Sequence, residues 1–498
     1  LTVERVAQQA ARMQSNSRLL IAGGRVLEPD TLGFERLDVL VERDEIAALL
    51  PAGSVTDSSV ARIDARDRYV IPGLVNGHNH AQVTLAKGLF DRHTLEVYLN
   101  AMPWASGRHS LEDTYLSAKL GALEMVRKGC TAAYDMFGQF PLPTADAVAA
   151  VGSAYRDVGM RAVIAPMLAD RSFYAAIPGL LDALPAPLAA AADAIRYAPD
   201  AASLAACRGI LESWPFDRER IRPALGPTIP YHCSDAFLTA CRDLARDCDV
   251  GMQMHVAESR VQVAVGRKRY GRSLIAHLDE LGLLEPKFCA SHAVWIDDDD
   301  RKRLADRGAS VSHNPGSNLK LGSGCADLRR LLDAGVRVAI GTDGASSSDN
   351  LNVFEAMRMA SYLSRVKDHP RARWVSAREA FHAATCGGAA ALGFEKIGRI
   401  QVGYKADLVL LDAGAFHYIP ANDVLNQIVF AEDGTGVDSV LVGGRLVLDH
   451  GRFTNLDVSQ LRAAAENAVT RLREVSAPAR ALAEQLEPYV GRYCEGLT

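Results

Sequence analysis

Residues 69–80 read YVIPGLVNGHNH. A β-branched run passes through a Pro-Gly turn and ends on His78 and His80, with Asn79 between them. Residues at i and i+2 share one face of a strand. The stretch therefore predicts a buried strand that delivers two imidazoles to one side, with Asn79 turned away to brace the fold. Alone, the same pattern also fits two polar residues where a strand ends. The decision rests on what recurs further along the chain.

The same grammar returns seven times: an apolar run ends in a turn residue, and a helical pattern follows. The runs are GCTAAYDM (129–136), MRAVIAPML (160–168), IRPALGPT (221–228) and VGMQMHVA (250–257). KFCASHAV (287–294), GASVSHNP (308–315) and VRVAIGTDG (336–344) complete the set. Segments of helical period, such as LEDTYLSAKLGALEMVRKG and DLRRLLDAG, lie between them. Alternating buried strands and helices predict a parallel sheet, and eight such units predict a (β/α)8 barrel of the TIM type. No G-x-G-x-x-G follows a strand, which argues against a dinucleotide fold. The flanks alternate polar and apolar residues instead, as in RLDVLVERDEIAAL and VDSVLVGGRLVLDHGRF. Neither flank is long enough for a β domain of its own. Together they predict a small β-sandwich built from both chain ends: residues 1–71 and 398–455, around a barrel at 72–397, with a helical tail at 456–498. The Ala-rich stretch 183–206 reads as helix.

Bulk properties exclude several function classes. The chain has 498 residues, 48% hydrophobic and 23% charged, with a formal net charge of −5. Nothing in that balance suggests a nucleic-acid partner. No apolar run reaches the roughly 18–20 residues of a membrane span. LTVERVAQQAARMQSNSR at the start reads as a polar segment rather than a signal peptide. Nine cysteines without a C-x-x-C pair read as reduced thiols, and a cytoplasmic location is expected.

In a barrel of this kind, chemistry sits at the C-terminal strand ends. Those ends carry His78 and His80, then His255 with Glu258 three residues on, then His292, His313 with Asn314, and Asp343. Each has a plain alternative: a satisfied polar side chain, a helix cap for Asp343, or a first-turn carboxylate for Glu258. Together, on five strands whose interiors are apolar, they predict a metal centre. Imidazoles with a carboxylate suit Zn²⁺, and Fe²⁺ if geometry allows. Glu258, one helical turn beyond His255, is placed to carry a proton.

At these positions the sequence resembles the amidohydrolase superfamily, in its cytosine deaminase and chlorotriazine hydrolase branch. The phrases PGLVNGHNH, HVAES, SHAVW, SHNPGSNLKLGSG, GTDGASSSDNLN and GRIQVGYKADLVLLD carry the likeness, which covers residues 18–455. The resemblance implies one divalent ion on His78, His80, His255 and Asp343, zinc first and iron second. A second ion is not expected, because IRPALGPT offers no lysine where binuclear relatives carry a carboxylated one. The resemblance also implies Glu258 as proton carrier, His292 orienting the water and substrate oxygen, and Asp343 taking a proton from the water. Relatives that deaminate nucleosides carry His in a GPHxPY phrase and a Glu shortly after a Pro. Here GPTIPYHCSD has Thr228, with His232 four residues on, and YLNAMPWASG has Trp104 and Ala105. These departures point away from a nucleoside and toward a small heterocyclic or aryl substrate. Trp104, Phe173, His232, Trp295 and Asn318 are the expected substrate contacts, with His313 behind them. Segment 169–220 is expected either to wall the pocket or to pack on the barrel.

The functional expectation is a metal-dependent hydrolase of non-peptide carbon–nitrogen bonds, foremost a hydrolytic deaminase of N-heterocyclic or aromatic small molecules. An amide, urea or carbamate hydrolase, or a triazine dechlorinase, would use the same site. A non-catalytic barrel scaffold would have lost ligands, and none is lost. A homodimer or higher homo-oligomer is expected from the family habit and the apolar C-terminal helix.

Overall fold

The computed structural model describes residues 18–498. The reading of the polar start falls on residues 1–18, of which 1–17 lie outside this range.

Eight parallel strands follow one another around a barrel, β1 (Leu74–Asn79), β2 (Cys130–Phe137), β3 (Arg161–Leu168), β4 (Ile221–Pro227), β5 (Gly251–Val256), β6 (Phe288–His292), β7 (Ser310–His313) and β8 (Arg337–Ile340). Each expected run contains a barrel strand. Hydrogen-bonded ladders join β1 through β8, and the seam between β8 and β1 is closed differently. Asn76 Nδ2 donates to Thr342 Oγ1 at 2.7 Å, Thr342 N donates to Asn76 Oδ1 at 3.0 Å, and Asp343 N donates to His78 O at 2.9 Å. The Asn76 side chain and one main-chain bond thus complete the barrel where the first and last site-bearing strands meet. The helices between strands begin on hydroxyl caps, as at Ser110, Thr144, Ser234 and Ser259, each accepting a backbone N–H.

YVIPGLVNGHNH spans two sheets. Arg68–Pro72 is a strand of a second sheet, and the barrel begins only at Leu74. Gly73 sits at the crossing, where a Cβ would lie 2.1 Å from Thr131 Oγ1, so no larger residue fits. That second sheet is mixed and has nine strands, drawn from residues 18–72 and 408–453. Its core includes Ile21, Val39, Val41, Leu408, Leu410 and Leu441. A buried ion pair fastens it to the barrel. Arg161 of β3 donates from Nε to Asp407 Oδ2 at 2.7 Å and from Nη2 to Asp407 Oδ1 at 3.0 Å.

Three helices frame the barrel mouth, α1 (Leu95–Ala105), α2 (Arg260–Tyr270) and α3 (Ala477–Glu495). Helix α3 lies against α1, where Asn100 Nδ2 donates to Ala483 O at 2.9 Å. The Ala-rich stretch forms two helices, Ala186–Asp193 and Asp200–Glu212, the second beginning directly after Pro199. Among the described residues, no helix is long and apolar enough to cross a membrane. All nine cysteines are free thiols.

Candidate active site

The site starts with a local irregularity. The register of β1 against β2 shifts between Asn76 and Asn79, and a bulge of this kind re-aims side chains. Gly77 makes it fit: a Cβ there would meet Ala339 Cβ at 2.6 Å and Ser312 Oγ at 2.8 Å. His78 and His80 point into the barrel mouth. Asn79 turns outward and donates to Tyr155 Oη at 3.2 Å, and that hydroxyl donates to Asp135 Oδ2 at 2.7 Å.

The tautomers of three histidines follow from their outer partners. His80 Nδ1 lies 2.6 Å from Met136 O, and His255 Nδ1 lies 2.8 Å from Thr228 O. Carbonyls only accept, so both Nδ1 atoms carry the proton and both Nε2 atoms present lone pairs. His78 Nδ1 lies 2.7 Å from Gln253 Oε1, whose amide nitrogen donates to Gly77 O at 2.9 Å. His78 Nε2 is therefore a lone pair too, buried and without a partner. The Nε2 atoms of His80 and His255 face each other at 3.2 Å. Two acceptors at that distance repel unless a cation lies between them. Asp343 Oδ1 completes the group, 3.3 Å from His80 Nε2 and 3.6 Å from His78 Nε2. With metal–nitrogen bonds of about 2.0–2.1 Å, ligand atoms at neighbouring positions around one ion lie roughly 3–3.5 Å apart. The donor set and its spacing fit such an ion. Burial pushes His78 and His255 below the ordinary imidazole range, His255 to about 3, which keeps both neutral.

Beside this group lies a second pair. Glu258 Oε2 is 3.6 Å from His292 Nε2, and both side chains are buried. His292 Nδ1 is 2.8 Å from Asn318 Oδ1, so its Nε2 also faces inward as a lone pair. Burial, reinforced by Asp343 and then Glu96, pushes the Glu258 carboxyl well above its ordinary range. Backbone strain marks the same places: Ala257, His292 and Asp343 have φ of 51°, 73° and 62°. Left-handed conformations in non-glycine residues cost on the order of 1–3 kcal/mol each and concentrate at functional sites.

The structure brings His78, His80, His255, Glu258, His292 and Asp343 together, with Asn318 behind His292. The other expected substrate contacts lie elsewhere. The cavity over the site is lined by His80, Gln82, Val83, Leu95, Tyr98, Leu99, Met102, Met167, Thr228, Ile229, His255, Glu258, Leu321 and Asp343. Trp104 packs on Phe90 beneath Arg480 of α3. Phe173 packs on Tyr174 and His232. His232 is buried with Nε2 unpartnered, and burial lowers its pKa to about 3. Trp295 stacks under Arg260 and donates from Nε1 to Ser323 O at 2.7 Å. Trp104 lies near the end of α1 and Phe173 opens a short helix, Phe173–Ala176, and with Trp295 and His232 they form packing behind the wall. Segment 169–220 takes that role too: Tyr174, Ile177 and Leu180 pack with Leu486 and Val490 of α3. His313, at the end of β7, is buried with neither ring nitrogen partnered. Gln253 went unnoticed in the sequence, although it stands two residues before His255 and so on the same strand face.

The amidohydrolase family model matches residues 69–447. The chain belongs to the amidohydrolase family. The 5'-deoxyadenosine deaminase of Methanothermobacter thermautotrophicus is 35% identical over 459 residues, 92% of this chain and 99% of that one. The 5-methylthioadenosine/S-adenosylhomocysteine deaminase of Syntrophobacter fumaroxidans is 35% identical over 454 residues, 90% of this chain and 96% of that one. An adenosine deaminase from Xanthomonas campestris, solved with bound zinc, superposes with a TM-score of 0.79 at 30% identity, covering 92% of this chain and 98% of that one. This amidohydrolase is a hydrolase of non-peptide carbon–nitrogen bonds.

Proposed function

We propose that this amidohydrolase holds one divalent ion, zinc first and iron second, on His78, His80, His255 and Asp343. It removes an amino group from an N-heterocycle by hydrolysis. The observation that carries the reading is the convergence of three Nε2 lone pairs and one carboxylate beside the buried Glu258–His292 pair. When bound, the ion supplies Lewis-acid charge that acidifies a water and balances developing negative charge. His292, its Nδ1–H held by Asn318, accepts a hydrogen bond from the attacking water and so orients it. Asp343 takes a proton from that water. Glu258, kept protonated by burial, gives its proton to the ring nitrogen next to the attacked carbon. The amino group then leaves as ammonia with a proton returned through the same carboxylates, and the ring carbon keeps the oxygen.

The named relatives act on nucleosides, yet the wall of this cavity is mainly Leu95, Leu99, Met102, Met167, Ile229 and Leu321. Away from the imidazoles and carboxylates, its polar members are Gln82, Tyr98 and Thr228. Tyr98 Oη is already engaged with Ser346 Oγ at 2.7 Å. A site that reads a ribose needs partners for its hydroxyls. This wall favours an aminoheterocycle with an apolar substituent.

The test is ammonia release over alkylated aminotriazines, aminopyrimidines, 5'-deoxyadenosine, adenosine and aryl ureas. The expected outcome is ammonia from apolar-substituted heterocycles, with kcat/KM above about 10⁴ M⁻¹s⁻¹. Best turnover of the ribosides would overturn the substrate class. Cleavage of ureas alone would replace the deaminase with an amide-type hydrolase.

A further inference from the structure

Glu96 is a buried carboxylate that the reaction above does not use. It is 4% exposed, on the first turn of α1. Among the described residues no cation lies within ion-pair distance of it, and its close partner from another element is the hydroxyl of Ser259, 2.6 Å from Oε1. Burying an unpaired carboxylate is unfavourable, so what it holds in place matters.

Ser259 follows Glu258 directly and is the N-cap of α2, its Oγ accepting from Gln262 N at 3.1 Å. Gln262, fully buried, returns the contact: its Oε1 accepts from Glu258 N at 3.0 Å. The chain of bonds runs from Glu96 to the Ser259 hydroxyl, to the first turn of α2, and back to the backbone of Glu258. Its other end is anchored in the substrate wall, because α1 presents Leu95, Tyr98, Leu99 and Met102 to the cavity. Ser259 Oγ has one proton to donate. With Glu96 as its acceptor, the lone pairs of Oγ stay free for the cap.

We infer that Glu96 is a positioning residue for Glu258, fixing the proton carrier to the helix that forms the substrate wall. The inference rests on the role proposed for Glu258. It predicts that Glu96→Ala and Ser259→Ala each lower kcat by about 10²-fold while KM stays within about threefold, as expected for a reacting group misplaced by roughly 1 Å. Glu96→Gln, which still accepts from the hydroxyl, restores kcat to within about threefold of wild type. The double variant loses no more than either single one, because both break the same chain.

The measurement is steady-state ammonia release from an N-alkyl aminotriazine and from 5'-deoxyadenosine, with ion content and Tm recorded for every variant. Unchanged kcat in Glu96→Ala or Ser259→Ala, or losses that multiply in the double variant, would overturn the inference. A wild-type protein that deaminates neither probe counts against the deaminase reading. Crystal structures of wild type and Glu96→Ala then decide the placement: a Glu258 carboxyl shifted by about 1 Å or more upholds it, and an unmoved one overturns it. Should Glu96→Ala not fold, the same comparison is made with Ser259→Ala.

Discussion

At the scale of single residues, the site depends on the atoms behind its imidazoles. His78, His80 and His255 can each offer Nε2 only because Nδ1 is engaged by Gln253, Met136 O and Thr228 O. Two of those partners are main-chain carbonyls, which no substitution removes. Gln253 is a side chain and can be tested. Gln253→Leu leaves His78 Nδ1 with the Ser291 hydroxyl alone, 3.1 Å away, which can donate or accept and so no longer fixes the tautomer, and should weaken ion affinity by roughly 10–100-fold. Competition with a chelator of known affinity measures this, and unchanged affinity would show that the Gln253 contact is incidental. Glu258→Gln tests the reacting side: ion content should stay at the wild-type level while kcat falls by about 10²–10⁴-fold. Near wild-type turnover would remove Glu258 from the reaction. The inward-facing polar residues were legible because strand periodicity and position at strand ends agree. Gln253 was equally legible by period, but a glutamine inside MQMHV carries no chemistry of its own and drew no attention.

At the scale of elements, the histidines of β1 are delivered by a bulge and a glycine. Gly77→Ala would drive a methyl group into Ala339 and Ser312, an overpacking that typically costs about 1–3 kcal/mol. The expected outcome is a lower Tm together with reduced ion content, since the same bulge aims His78. Loss of stability with full ion content would mean that the bulge does not set the aim. All eight barrel strands were legible, because each is a short apolar run closed by turn residues. The change of sheet at Gly73 is marked in YVIPGLVNGHNH by the Pro-Gly pair alone, since Val70 and Ile71 are as apolar as Leu74 and Val75, and the close approach of Thr131 enforces it in the structure. The loops were the least legible elements. Phe173 and Trp295 follow strand ends, as cavity-lining residues would, whereas Trp104 lies near the end of α1. Their orientation is set by partners far along the chain, such as Arg480 over Trp104.

At the scale of the whole molecule, two sheets and a C-terminal helix hold the mouth of the barrel in shape. The Arg161–Asp407 pair spans them and is fully buried, with Arg161 Nη1 also donating to Glu219 O at 2.7 Å and Gly443 N to Asp407 Oδ1 at 2.6 Å. Removing one partner leaves a buried charge unmatched, so Asp407→Ala should cost about 3–5 kcal/mol. Chemical denaturation checks this, and a loss below about 1 kcal/mol would show the two sheets to be joined mainly by apolar contact. The convergence of three imidazoles and one carboxylate on one point is tested most directly by diffraction. Diffraction data collected on either side of the zinc edge, and again at the iron edge, locate any bound ion and identify it. One anomalous peak per chain is expected, about 2.0–2.2 Å from the Nε2 atoms of His78, His80 and His255 and from a carboxylate oxygen of Asp343. No peak at that point in crystals grown with the ion, or a peak held by other residues, would contradict it.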